Sequence, residues 1–240
     1  MKIKNFLFLS FRKIVIFSIK KSLKFNILDR IKHALIHIFY SNYHPLDIFN
    51  KQEKSKRNVI NRLNVITKNL SGDNCLDIGC QSGYFSLNIA NNGYWVTGLD
   101  RDDLILEKAR LLQKKFQIKN VSFVNFNISE SSISRLQNFD NVIYLSIHHH
   151  MIKVYGFETA TKILKCIANK TNKNLFFDFP YPDAYKDNPS FAQIPEMGED
   201  PDKWIKNYLL SVGFAKVESI GKFSHNQKKH EVRNLFKASK

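Results

Sequence analysis

The chain has 240 residues, of which 43% are hydrophobic and 13% aromatic, enough for one sizeable α/β domain with an appendage. Its 37 Lys and Arg against 21 Asp and Glu give a formal net charge of +16, which suggests a phosphate-rich or anionic-lipid partner. Three cysteines without metal-like spacing argue against a zinc site and suit a reducing, cytoplasmic compartment.

The first 50 residues are basic and rich in phenylalanine. Residues 1–60 hold thirteen Lys and Arg against three acidic residues, a net charge of +10. Lysines and arginines interrupt every apolar run before it reaches the ~18–20 residues needed to cross a bilayer, and no secretory signal is evident. We expect residues 1–50 to form a helical extension. Three interpretations are open: a cap on the domain, an amphipathic helix lying peripherally on an anionic membrane, or an arm that grips RNA.

Residues 51–240 are predicted to form one α/β domain. Apolar residues at helical spacing predict a helix over Asn50 to Asn69, and Ser71-Gly72-Asp73 ends it. A short apolar strand then leads into the stretch LDIGCQSGYFS, Leu76 to Ser86. Glycines at both ends of the turn let the backbone approach a ligand closely, and the turn opens a helix.

This stretch resembles motif I of the class I S-adenosylmethionine-dependent methyltransferases, whose usual wording is close to hDhGxGxG. Asp77, Gly79 and Gly83 match the motif, and Gln81 replaces its middle glycine. The nicotinamide fingerprint G-x-G-x-x-G spaces its glycines differently. Without the resemblance, the same string is also compatible with an ordinary strand-to-helix turn, in which Cys80 is a small turn residue.

The next two strands also end in polar residues. Tyr94 to Leu99 is predicted as the second strand, and Asp100 after it suits hydrogen bonds to a ribose diol. The alternative is a surface carboxylate that caps the following helix, Asp102 to Phe116. Val121 to Phe126 is predicted as the third strand. The resemblance implies that Asn127 contacts the adenine amino group, although a turn-forming asparagine is the alternative.

The fourth predicted strand, Phe139 to Ile147, runs into three histidines. LSIHHHM is similar to the LSVLHHL wording that follows strand four in many small methyltransferases, so His149 and His150 take the paired positions. An imidazole there is placed to accept the proton of the acceptor. Three consecutive side chains cannot all point the same way, so we expect one at the reacting centre and the others in packing or hydrogen bonds.

The remainder of the chain also alternates between predicted helices and predicted strands. Helices are predicted over Gly156 to Lys170 and Asp202 to Val212, and strands over Asn174 to Phe179, Lys216 to Gly221 and Val232 to Ala238. Asp178, inside an apolar strand, is expected to contact substrate or to make a structural hydrogen bond. The irregular stretch Pro180 to Pro201 offers Tyr181, Asp183 and Tyr185 as candidate acceptor contacts.

Alternating strands and helices predict a doubly wound parallel sheet. The resemblance implies a Rossmann-like fold with seven strands in the order 3-2-1-4-5-7-6 and an antiparallel last strand. It implies S-adenosylmethionine as cofactor, with His149 and His150 as the candidate catalytic residues. No metal is expected, because no Cys or His cluster in the sequence offers the further ligands that zinc needs. The implied cofactor contacts are Asp77, Gly79, Cys80, Gly83, Asp100, Arg101, Asn127, Ile128 and Ser146.

We therefore expect a methyltransferase acting on an oxygen or nitrogen of a small molecule, sugar or lipid-linked intermediate. Two alternatives are an RNA methyltransferase that uses the basic arm and a cofactor-binding scaffold that has lost catalysis.

Overall fold

The computed structural model of the chain describes residues 58–182, 193–224 and 232–240. Within these ranges seven strands form one sheet in the order β3-β2-β1-β4-β5-β7-β6, which confirms the predicted order. The strands are β1 Asn74–Ile78, β2 Trp95–Asp100, β3 Val121–Asn125, β4 Phe139–Leu145, β5 Thr171–Asp178, β6 Lys216–Ser224 and β7 Val232–Ser239. The first five are parallel to one another, and β7 is antiparallel to both β5 and β6.

The helices agree with the predicted ones within a few residues wherever the structure describes them. They are α1 Val59–Asn69, α2 Tyr84–Asn91, α3 Asp103–Lys115, α4 Glu130–Ser134, α5 His148–Tyr155, α6 Phe157–Asn169 and α7 Pro201–Ser211. The predicted first helix began at Asn50, and its residues 50–57 lie outside the described ranges. So do the extension predicted over residues 1–50 and the candidate contacts Asp183 and Tyr185.

Two short helices were not predicted from the sequence. Helix α4 begins with a capping box, in which the Ser129 hydroxyl accepts from the Ser132 amide and the Ser132 hydroxyl accepts from the Ser129 amide. Helix α5 begins inside the histidine run, so the histidines lie on a helix and not on an extended strand end. Gly156, with φ +80, ends α5 and allows α6 to start one residue later.

Alternating residues of the central strands divide the core between the two faces of the sheet. One face packs Tyr144, Phe177 and Phe236 with the apolar sides of α6 and α7. The other packs Ile143 and Phe176 with α1, α2 and α3. Both faces of a parallel sheet are covered in this way, which explains why the central strands read as continuous apolar runs.

Across residues 58–182, 193–224 and 232–240, no helix combines the length and the apolar character that a membrane crossing requires. The same ranges contain no group of three or more His, Cys, Asp or Glu side chains placed to hold a metal ion.

Candidate cofactor and acceptor site

The turn after β1 is held against the end of β2 by its backbone. The amides of Gly79 and Cys80 both donate to the Leu99 carbonyl, at 2.8 and 2.9 Å. Three residues of the turn have left-handed backbones, with φ of +75° at Gly79, +50° at Gln81 and +77° at Gly83. Gln81 therefore adopts the conformation that the missing middle glycine would take freely, at a small steric cost.

Asp100, the last residue of β2, joins this turn to the start of α3. Its two carboxylate oxygens accept from the Gln81 and Asp102 amides, both at 3.0 Å. Burial raises the pKa of the Asp100 carboxyl, and these two amide hydrogen bonds oppose the shift. The cap of α3 is Asp102, whose side chain accepts from the Leu104 and Ile105 amides, so the capping role that competed for Asp100 belongs to its neighbour. The two oxygens of a carboxylate offer about four acceptor sites, so Asp100 keeps acceptor capacity for a ligand.

A cavity of about 450 Å³ lies beside this carboxylate, at the carboxyl ends of β1, β2 and β3. Its lining includes six of the predicted site residues: Gly79, Asp100, Arg101, Asn127, Ile128 and His150. The apolar side chains of Ile105, Phe126, Ile147 and Met151 form one part of the remaining wall. The rest of the lining is Gln81, Asp102, Lys153, Val154 and Tyr155. A polar edge beside apolar walls suits a nucleoside, because the ribose needs hydrogen-bond acceptors and the base needs flat apolar surfaces.

Five predicted site residues do not line the cavity. Asp77 is 3% exposed and accepts from the Ser86 hydroxyl at 2.6 Å. The pKa of the Asp77 carboxyl is raised to about 6. Burial is the largest cause and the Asp100 charge adds to it, whereas the hydrogen bonds from Ser86 act in the opposite direction. Asp77 therefore lies in the protein interior behind the turn and not at the cavity wall.

Gly83 and Cys80 also pack in the protein interior and not at the cavity wall. A Cβ on Gly83 would lie 2.7 Å from the Phe123 ring, so the absence of a side chain there lets α2 approach β3. Cys80 is buried, and burial raises the pKa of its thiol well above the usual value, which argues against a thiolate nucleophile. Ser146 and His149, the other two, lie at the end of β4 and the start of α5.

The three histidines have different surroundings. His148 is fully buried in the core beneath α7, with Nε2 2.8 Å from the Tyr208 hydroxyl, and burial lowers its pKa to about 3. His149 is also buried, and its ring lies 4.1 Å from that of His150 and 6.4 Å from that of Phe179. His150 is exposed and lines the cavity. Of the three, His150 is the one that reaches the cavity wall, whereas His148 is a neutral core residue.

Sequence reasoning singled out Asp178 but missed its partner. The Arg62 guanidinium donates to Asp178 Oδ2 at 2.5 Å, although 116 residues separate the two in the chain. The sequence did indicate that Arg62 is buried, since it lies three residues after Val59 and four before Ile66, on the buried side of α1. Of the other candidate acceptor contacts, Tyr181 donates its hydroxyl to Asp202, which ties it to the start of α7.

Known proteins resemble this chain in sequence. Residues 69–238 match a family model described as a methyltransferase domain. The sequence is 31% identical over 103 residues to the O-antigen chain terminator bifunctional methyltransferase/kinase WbdD of Escherichia coli, covering 41% of this chain and 14% of that protein. It is 28% identical over 93 residues to the ubiquinone biosynthesis O-methyltransferase of Acinetobacter baylyi, covering 38% and 39%.

Solved structures show the same fold. A crystal structure of WbdD superposes with a TM-score of 0.70 at 22% identity, over 87% of this chain and 46% of that one. Magnesium protoporphyrin IX methyltransferase (ChlM) of Synechocystis, crystallised with bound S-adenosylmethionine, gives a TM-score of 0.54 at 17% identity, over 90% and 93%. The chain thus spans less than half of the length of WbdD.

The family match covers more than two thirds of the chain and contains every strand of the sheet except the last residue of β7. The chain therefore belongs to the methyltransferase-domain family, and residues 69–238 form a class I S-adenosylmethionine-dependent methyltransferase domain, as the sequence predicts.

Proposed function

We propose that this chain transfers the methyl group of S-adenosylmethionine to an oxygen of a small-molecule, sugar or lipid-linked acceptor, and that the cavity beside Asp100 holds the cofactor. The observation that carries the proposal is the Asp100 carboxylate, which is fixed by two backbone amides and borders that cavity. A carboxylate oriented in this way is prepared to accept hydrogen bonds without further reorganisation.

The residues around the cavity suggest how each part of the cofactor is held. Asp100 would accept from the ribose hydroxyls, and Asn127 and Ile128 would contact the adenine beside Ile105. The backbone of Gly79 would pass close to the methionine end, with Asp77 behind it. Bound there, the cofactor supplies a methyl carbon that its sulfonium already activates, so positioning of the acceptor supplies much of the rate enhancement.

His150 is our first candidate for the proton acceptor, because its imidazole is exposed and lies at the cavity wall. The acceptor hydroxyl would lose its proton to this imidazole as its oxygen bonds the methyl carbon and the carbon–sulfur bond breaks. His149, whose buried ring lies 4.1 Å from that of His150 at a tilt of 39°, would orient it or take the role itself. His148 is excluded from this role by its burial in the core.

Two relatives support oxygen as the acceptor atom and a small or glycan-linked molecule as the acceptor class. One is named an O-methyltransferase of ubiquinone biosynthesis, and the other an O-antigen chain terminator methyltransferase/kinase. We carry these over only as chemical classes, since each alignment covers about two fifths of this chain. The RNA and scaffold alternatives are outcomes of the experiments below.

Calorimetry on Asp100 variants tests the cofactor site. Asp100→Ala removes the charge-assisted hydrogen bonds to the ribose, so we expect S-adenosylmethionine to bind at least about a hundredfold more weakly while the fold remains intact. Asp103→Ala is the matched control, because Asp103 is an exposed acid three residues away that does not line the cavity. It should change the affinity by less than about threefold. Equal affinities for the two variants would remove Asp100 from the site.

Turnover experiments test the acceptor and the base. Mass spectrometry of metabolites and of digested RNA, from cells with and without the gene, should reveal a small molecule or glycan precursor that differs by the mass of one methylene. A difference confined to RNA nucleosides would favour the RNA alternative, and no difference the scaffold. With the acceptor known, His150→Ala should lose turnover and keep cofactor affinity. Full activity of both His149→Ala and His150→Ala would exclude a histidine base.

A further inference from the structure

Ser146 has an unusual backbone at a sensitive place. It directly follows β4, and its φ is +58°, a left-handed conformation that non-glycine residues adopt at a steric cost. The next residue, Ile147, lines the cavity. Its Cδ1 lies so close to the glycine turn that a Cβ on Gly79 would come within 2.3 Å of it. The conformation of Ser146 therefore sets how the Ile147 side chain meets the turn that borders the cofactor.

Asp178 holds Ser146 in this conformation from the end of the neighbouring strand. Its Oδ1 accepts from the Ser146 amide at 2.6 Å and from the Ser146 hydroxyl at 3.1 Å. Its Oδ2 accepts from Arg62 of α1 at 2.5 Å. Asp178 is 2% exposed and Arg62 is 6% exposed, so their charges are removed from water together. One carboxylate thus connects α1 to the peptide that introduces Ile147.

We propose that Asp178 is a positioning residue for methyl transfer. Held by Arg62, its carboxylate fixes the left-handed backbone of Ser146, and this backbone presses Ile147 against Gly79 and sets the direction in which α5 leaves β4. Strained backbones persist only where the surrounding structure enforces them, and they concentrate at functional sites. The proposal rests on the proposed function, because Ile147 matters only if the cavity holds the cofactor.

A purely structural ion pair would behave differently from a positioning residue. If Arg62 and Asp178 only stabilised the fold, replacing both with apolar residues of similar size would leave cofactor binding unchanged, since such replacements of buried pairs are often tolerated. If Asp178 positions Ser146, the same replacement releases the backbone. Glycine at position 146 adopts a positive φ without steric cost, so Ser146→Gly should compensate for the missing carboxylate.

The test measures binding of S-adenosylhomocysteine by calorimetry, with thermal melting of each variant to confirm folding. The double variant Arg62→Met/Asp178→Leu should bind roughly tenfold to a hundredfold more weakly than the unaltered protein. Adding Ser146→Gly should restore most of that affinity. Unchanged affinity in the double variant, or a loss that Ser146→Gly does not restore, would overturn the proposal.

A second pair of variants covers the case in which the double variant does not fold. Asp178→Asn keeps the size of the side chain and removes its charge, and it is compared with and without Ser146→Gly under the same criteria. If the unaltered protein fails to bind S-adenosylhomocysteine, the proposed function fails and this proposal fails with it. If the unaltered protein binds and the Asp178 variants bind equally well, only the positioning role is wrong.

Discussion

His148→Leu should make the protein more resistant to acid, although it removes a buried hydrogen bond. His148 is fully buried, and burial lowers the pKa of its imidazole to about 3 from the ordinary value of 6.5. The unfolded chain therefore binds a proton at this residue below pH 6.5, whereas the folded protein does not until the pH approaches 3. Stability due to this residue is complete above pH 6.5 and falls as the pH decreases through that window.

The size of the effect follows from the two pKa values. A pH of 4.5 is two units below the pKa of the imidazole in the unfolded chain, whereas the imidazole in the folded protein is still mostly neutral at this pH. Two units correspond to about 2.7 kcal/mol, which is the stability that the unaltered protein loses at this residue between pH 7.5 and pH 4.5. Leucine does not titrate, and Tyr208 keeps its other partner, Thr161, at 2.8 Å. The buried Tyr144 hydroxyl, 3.5 Å from His148 Nδ1, loses that contact. We therefore expect His148→Leu to be about 1–3 kcal/mol less stable than the unaltered protein at pH 7.5.

Urea unfolding of both proteins at pH 7.5 and pH 4.5, followed by tryptophan fluorescence, measures the difference. The free-energy gap between the variant and the unaltered protein should shift by about 2.7 kcal/mol in favour of the variant at the lower pH. Comparing the two proteins at each pH cancels every other titrating group, including Asp77, whose raised pKa acts in the opposite direction. A gap that is the same at both pH values would show that His148 titrates normally in the folded protein, which would refute its placement in the core.

Three further variants test the turn and its surroundings by urea unfolding. Asp77→Asn should raise stability at pH 7.5 by up to about 3 kcal/mol, because the folded pKa of about 6 disfavours the charged form. The free-energy gap between the variant and the unaltered protein should widen in favour of the variant as the pH rises from about 4 to 6, and a gap that stays constant would contradict the raised pKa. Gly83→Ala should cost about 2 kcal/mol or more, since its Cβ would meet Phe123 at 2.7 Å at a φ of +77°, and a cost below about 0.5 kcal/mol would contradict this packing. Asp102→Ala should cost about 1 kcal/mol through loss of the α3 cap, whereas no loss would mean that the two amides find other partners.

The fold was predictable because each signal was local. Apolar runs located the strands, and glycines and polar residues after them located the turns. The order of the strands in the sheet came from the family resemblance. The placement of Asp100 beside a cavity was predictable for the same reason, because it depends on a strand end. The end of β4 was not predictable. Leu145, Ser146 and Ile147 alternate between apolar and polar residues as a strand does, although the backbone leaves the strand at Ser146.

What the sequence did not reveal depends on contacts between distant residues. The pairing of Arg62 with Asp178 joins residues 116 positions apart, and no local pattern names the partner of a buried carboxylate. The histidine run shows the same limit. Adjacent residues of one type separate into a core residue, a buried neighbour and a cavity residue only because α5 begins at His148 and turns each side chain by about 100° from the last.

A crystal structure of the protein with S-adenosylhomocysteine tests the central claim most directly, because it locates the ribose relative to a named carboxylate. The account predicts the nucleoside in the cavity at the ends of β1, β2 and β3, with the ribose hydroxyls within hydrogen-bond distance of the Asp100 carboxylate. A ribose bound away from Asp100, or a nucleoside found outside this cavity, would contradict it.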